Sequence, residues 1–88
     1  MKTSFLSQFA KDIEKIRMQS VKDDIATAIE QVEQADSLSS VINLKKLKGF
    51  KTAYRIRIGN YRIGVFVDGE TVEFARVVHR RDVYKVFP

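Results

Sequence analysis

The chain has no cysteine and no tryptophan, and a single histidine and a single proline among 88 residues. Lack of cysteine excludes disulfides and thiolate metal ligands, and one histidine is too few for an ordinary zinc site. No metal and no other cofactor is expected. No apolar run approaches the roughly 20 residues of a membrane span, and none of signal-peptide length opens the chain. It reads as cytoplasmic, with no membrane partner. Acidic residues are scarce in one half only. Residues 1–42 carry five Lys/Arg against seven Asp/Glu, and residues 43–88 carry eleven against four, so the net +5 hides a split of −2 and +7. Such asymmetry is the footprint of a polyanion, most often a nucleic acid, and would equally suit an acidic protein tail.

What is present describes an ordinary folded domain. With 44% hydrophobic and 31% charged residues, disorder is not expected, and 88 residues support one core, so residues 1–88 form a single domain. The most informative stretch runs from Ala53 to Phe66. Apolar and basic residues alternate on both sides of Gly59-Asn60, the pattern of a β-hairpin with a two-residue loop. Ile58 then stands opposite Tyr61, Arg57 opposite Arg62, Ile56 opposite Ile63 and Arg55 opposite Gly64. Tyr54, Ile56, Ile58, Tyr61, Ile63 and Val65 form one apolar face, and Arg55, Arg57 and Arg62 gather on the other. Arginines on a solvent face are common, and their stems cover apolar surface. Three together without a carboxylate in residues 53–66 are different, because like charges directly opposite on a sheet destabilise it. The guanidinium fork suits phosphate. Gly64 leaves room on that face for a ligand, or else marks a bulge.

Upstream, Lys2–Phe5 reads as an edge strand. Phe9, Ile13 and Ile16 follow at helical spacing with Lys11, Asp12, Glu14 and Lys15 between them, predicting an amphipathic helix from Ser7. Ser20 and Asp23 resemble a capping box for a second helix, in which Val21, Ile25, Ala28, Ile29 and Val32 recur to about Ala35. Asp23, Asp24, Glu30 and Glu33 make its solvated face. The short connection predicts a helical hairpin.

After a polar loop at Asp36–Ser40, Val41–Gly49 leads into the sheet. Lys45, Lys46, Lys48 and Lys51 cluster there, each solvated alone but together suited to steering a phosphate backbone toward the hairpin. Residues 61–67 and 71–78 are strands joined around Asp68-Gly69, which completes an antiparallel meander. Even-length loops put Glu73, Ala75, Val77 and His79 on the face of Arg62, and Val72, Phe74 and Val78 on the apolar face. The fold class is α+β: two N-terminal helices on one face of a small antiparallel sheet, with the basic face opposite left open. Histidine is the side-chain type that titrates near neutrality, and His79 would end its strand on the arginine side. Arg80 or Arg81 adds a phosphate contact. Tyr84, an apolar ring with a polar tip, suits packing or a site equally.

Three segments together resemble the RelE branch of the RelE/ParE toxin superfamily: Lys46-Leu47-Lys48-Gly49, Tyr54 to Ile63, and Val78-His79-Arg80-Arg81-Asp82-Val83-Tyr84. The resemblance implies the toxin half of a bacterial toxin-antitoxin pair, an endoribonuclease that cleaves mRNA in the ribosomal A site without metal. Its implied partners are a cognate antitoxin protein, the ribosome and mRNA, with operator DNA reached only through the antitoxin. Position by position, Arg55 and Arg57 fall where family members line the scissile phosphate with basic residues. Arg62 falls on the arginine of the next strand, Arg80 on the C-terminal arginine and Tyr84 on the C-terminal aromatic. Lys45, Lys46, Lys48, Lys51 and Arg81 would bind RNA around them.

The implied chemistry is attack of the substrate's 2′-hydroxyl on the adjacent phosphate, giving a 2′,3′-cyclic phosphate and a 5′-hydroxyl end. Fixed cations stabilise the charge that develops on the phosphoryl oxygens. Arg55, Arg57 and Arg62 can supply them, while His79 and Tyr84 are the candidates for proton transfer. Two other classes stay open. A ParE-like toxin would act by binding, as a gyrase inhibitor, and a non-enzymatic RNA-binding module would share the basic face but need no proton-transfer group.

Overall fold

Phe9 and Phe74 meet where the first helix lies on the last strand, their ring centroids 5.4 Å apart. The computed structural model describes residues 1–88. Its elements are β1 (Lys2–Phe5), α1 (Ser7–Lys15), α2 (Gln19–Gln34), a 3-10 turn at Leu38–Ser40, β2 (Leu44–Lys46), β3 (Ala53–Ile58), β4 (Tyr61–Asp68), β5 (Thr71–His79) and α3 (Val83–Val86). One five-stranded sheet has the order β1-β5-β4-β3-β2. β2 to β5 pair antiparallel as expected, and β1 adds a parallel edge strand beside β5. The α+β class is as the residue pattern implied. No helix is long and apolar enough to cross a membrane.

The core follows from the two periodicities. Ile25, Ala28 and Val32 recur on one stripe of α2, and Ile56, Ile63 and Val65 alternate inward on β3 and β4. Together with Phe9, Phe74 and Val77 they fill the layer between helices and sheet. α1 rests on β5, and α2 rests on β3 and β1. The helices thus pack chiefly on the sheet, where the expected helical hairpin would have paired them with each other. The capping box also fails: α2 begins at Gln19 after Met18, no side chain caps it, and Asp23 instead accepts a hydrogen bond from Gln19 Nε2 at 2.9 Å. Asp23, Asp24, Glu30 and Glu33 are exposed, as expected.

Asp12 is not on the solvated face of α1. It is 4% exposed and accepts bonds from Arg76 Nε at 2.8 Å, Arg76 Nη2 at 3.2 Å, the Val77 amide at 3.0 Å and Gln8 Nε2 at 3.2 Å. Burial pushes its pKa up, but these bonds and the Arg76 charge together outweigh it and hold the carboxyl below its ordinary range.

A β-bulge interrupts the β4–β5 ladder. Gly64 pairs with Arg76 and Val65 with Phe74, so Ala75 is the extra residue. Past it the alternation is reversed. Val77 enters the helix-side core, Val78 turns to the opposite face, and His79 pairs with Tyr61, its ring edge-on to that tyrosine at 5.7 Å. The expected sides of Val77, Val78 and His79 are therefore exchanged, and His79 leaves the arginine side.

The opposite face is not open. Leu47, Ala53, Ala75, Val83 and Phe87 make a second buried cluster there, with Phe66 and Val78 against it. The C-terminal segment is its lid. A Cβ on Gly64 would lie 2.5 Å from the Phe87 ring, so the space beside Arg55 that suggested a ligand is filled by the chain's own phenylalanine.

Candidate active site

Gly59 takes φ +59 at the first loop position of the β3–β4 hairpin, a conformation glycine adopts without a Cβ clash. This two-residue loop sets the register. Arg57 faces Arg62, and Arg55 faces Gly64, all on the side away from α1 and α2. The chain's two ion pairs are Asp12 with Arg76 and Asp82 with Lys85, so Arg55, Arg57, Arg62 and Arg80 have no carboxylate partner. Arg62 is nonetheless held in place. Its Nη1 donates to the carbonyls of Gly59 at 2.8 Å and Tyr61 at 2.9 Å, leaving the rest of the fork free. Partial burial, then the charges of Arg55, Arg57 and Arg80, press its pKa below the ordinary arginine range, while Tyr84 acts in the other direction. Four like charges thus converge with one phenol beside them. Such an arrangement is chemically suited to concentrated negative charge.

The C-terminal turn brings in the last two groups. The Arg80 amide donates to the Asn60 carbonyl at 2.7 Å, which ties the end of β5 to the hairpin loop and sets Arg80 beside Arg62. Val83 of α3 and Phe87 just beyond it are buried at 0% and 3% exposure, and Tyr84 is out at 67%. Its ring is not part of the core. Arg57, Arg62 and Arg80 line a groove of about 590 Å³ together with Gly59 and Asn60 of the hairpin loop and Asp24, Thr27 and Gln31 of α2.

The structure therefore gathers Arg55, Arg57, Arg62, Arg80 and Tyr84, and it leaves His79 out. His79 lines a separate groove with Asp12, Tyr61 and Arg76, and its Nδ1 accepts the Arg81 amide at 3.2 Å. Arg81 itself is exposed and lines neither the groove of Arg57, Arg62 and Arg80 nor that of Tyr84. Lys45, Lys46 and Lys48 line a neighbouring groove that includes Tyr84, whereas Lys51 lines another groove on the same loop, shared with Lys46 and Lys48. Two contributors escaped the residue pattern: Phe87, which walls the site, and the Asn60 carbonyl, which positions Arg80. The signal for Phe87 was an aromatic residue near the end of the chain in a fold with an unexplained strand glycine.

A family model described as the ParE toxin of the type II toxin-antitoxin system parDE matches residues 4–84. Over its whole length the chain is 40% identical to Toxin RelE3 of Methanocaldococcus jannaschii, covering all of that protein. The chain belongs to the RelE/ParE family of type II toxin-antitoxin toxins. Among solved structures, the toxin superposes on the RelB-RelE antitoxin-toxin complex from Methanococcus jannaschii with a TM-score of 0.80 at 39% identity, covering 97% of this chain and 99% of that one. An archaeal RelE-RelB complex from Pyrococcus horikoshii has the same fold, with a TM-score of 0.73 at 16% identity over 93% and 97% of the two chains.

Proposed function

We propose that this toxin is a ribosome-dependent endoribonuclease that cleaves mRNA in the A site and so stops translation, and that a cognate antitoxin of the RelB kind holds it inactive. The convergence of Arg55, Arg57, Arg62 and Arg80 with an exposed Tyr84 carries this reading. The guanidiniums alone would suit binding, and the phenol adds to them a group that can take a proton. The relative of known type is named a RelE toxin, and the solved complexes pair RelE with RelB.

In the reaction, the 2′-oxygen forms a bond to phosphorus and the bond from phosphorus to the 5′-oxygen breaks. Tyr84, as phenolate, takes the 2′-hydroxyl proton, and nearby guanidiniums favour that anionic form. Arg55, Arg57 and Arg62 meet the phosphoryl oxygens, on which extra negative charge develops in the transition state. They are already mutually repelled, so the developing charge is stabilised without reorganisation of the site. Arg80 adds charge at the leaving side, where the 5′-oxygen takes its proton from water. His79 has no part in this reaction, because the bulge turns it to the other side.

The competing possibility is gyrase inhibition by a ParE-like mode. Expression of the chain alone, followed by pulse labelling, separates them. Protein synthesis should stop within minutes while supercoiling by purified gyrase in the presence of the toxin is unchanged. Gyrase inhibition with continuing translation would overturn the proposal.

A further inference from the structure

Phe50 is half exposed, and nothing in the core explains it. It is presented by a built turn: the Phe50 amide donates to the Leu47 carbonyl at 3.3 Å, and Gly49 between them has φ +87. A glycine at the third position with positive φ is the mark of a type II turn, here lifting the aromatic residue that follows it. The ring faces a groove of about 640 Å³ bounded by Lys45, Lys46, Lys48, Tyr84 and Phe87. None of the chain's aromatic ring pairs involves Phe50 or Tyr84, and both side chains are at least half exposed. Tyr84, whose charge is felt at Arg62, lines this groove and so relates it to the arginine cluster.

We infer that this groove seats an unpaired nucleobase of the RNA strand, one of the two nucleotides flanking the phosphate held by the arginines, with Phe50 as its stacking wall. The inference rests on the RNA reading of the arginine site. Two features favour a nucleotide over an apolar peptide. Three lysines border a groove whose other walls are Phe50, Tyr84, Phe87, Leu47 and Pro88, which matches a flat ring joined to a phosphate on each side. Continuity with the arginines also places the groove about where a strand must continue once one of its phosphates is bound there. Tyr84 then has two edges of work, its hydroxyl toward the phosphate and its ring bordering the base.

The test uses a short single-stranded RNA with a 2′-O-methyl group at the scissile nucleotide, which blocks attack, and two versions that are abasic at one or the other flanking nucleotide. Binding is followed by fluorescence anisotropy with the parent protein, Phe50→Ala and Phe50→Tyr. Base-aromatic stacking predicts a loss of about fivefold to a hundredfold for Phe50→Ala, with affinity retained by Phe50→Tyr. One of the abasic RNAs should lose as much, and Phe50→Ala should cost that RNA nothing further. An unchanged melting temperature shows that the loss is not one of folding. Equal affinity of Phe50→Ala and parent, an equal loss on every RNA, or no saturable binding of the parent would each overturn the inference. So would weakened antitoxin binding with RNA binding unchanged, which would assign the groove to a protein. Coupling between Phe50 and one base in a protein that fails to cleave ribosome-bound mRNA would sustain the subsite and refute only the nuclease reading.

Discussion

Arg57 stands directly across the β3–β4 ladder from Arg62, and neither guanidinium is paired with a carboxylate. Opposed like charges on adjacent strands cost stability, so Arg57→Ala should leave the fold as stable as before or raise its stability by about 0.2–1 kcal/mol. The same change removes one charge from the phosphate receptor and should slow cleavage by about 100-fold. Thermal melts and single-turnover rates on the same preparation check both. A clear drop in melting temperature with cleavage intact would make Arg57 a structural residue.

Asp12 behaves in the opposite way. Asp12→Ala strips the Val77 amide and Arg76 of their acceptor in a buried place and should cost about 2–3 kcal/mol. Its folded pKa lies below the unfolded value, so its contribution is complete above the ordinary carboxylate range near 3.8 and is lost as pH falls through the folded value. Acid unfolding followed by circular dichroism should show this dependence in the parent and lack it in Asp12→Ala.

Gly64→Ala should loosen the C-terminal segment, because the added Cβ would lie 2.5 Å from the Phe87 ring. Overpacking of this kind costs about 1–3 kcal/mol. Hydrogen exchange at residues 83–88 should quicken, and cleavage should fall as Tyr84 loses its place. Phe87→Ala removes the clashing ring, so the double variant should be destabilised by less than the sum of the two single losses. Unchanged exchange in Gly64→Ala would mean that Phe87 does not hold the tail.

These residues also mark what the amino-acid order could and could not reveal. Gly59-Asn60 announced a two-residue loop, and the loop alone dictates that Ile58 faces Tyr61 and Arg57 faces Arg62, so the pairing of the hairpin was legible, although the Phe87 lid over it was not. The bulge was not. Phe74-Ala75-Arg76 contains no glycine or proline to flag a break, and Gly64, the one hint, sits on the partner strand and had two meanings. One extra residue reverses alternation for everything after it, which is why His79 was expected beside the arginines and lies beside Tyr61. Asp12 was concealed for another reason. Its partners Arg76 and Val77 are 64 and 65 residues away, and local periodicity carries no information about tertiary partners.

Antitoxin binding should cover the unpaired charges, since four arginines without partners favour an acidic ligand. Hydrogen exchange of the toxin alone and with its antitoxin should show added protection in residues 53–66 and 78–88. No change in either segment would exclude this mode of inhibition.

The most direct measurement is single-turnover cleavage of ribosome-bound mRNA by the parent, Tyr84→Phe and His79→Gln. The parent should cut within the A-site codon and leave a 2′,3′-cyclic phosphate and a 5′-hydroxyl. Tyr84→Phe keeps the ring and deletes the base, and should lose about 100-fold or more, whereas His79→Gln should cut at near the parental rate. Uncut mRNA with the parent, or a Tyr84→Phe variant at parental rate beside an inactive His79→Gln, would contradict the proposed site.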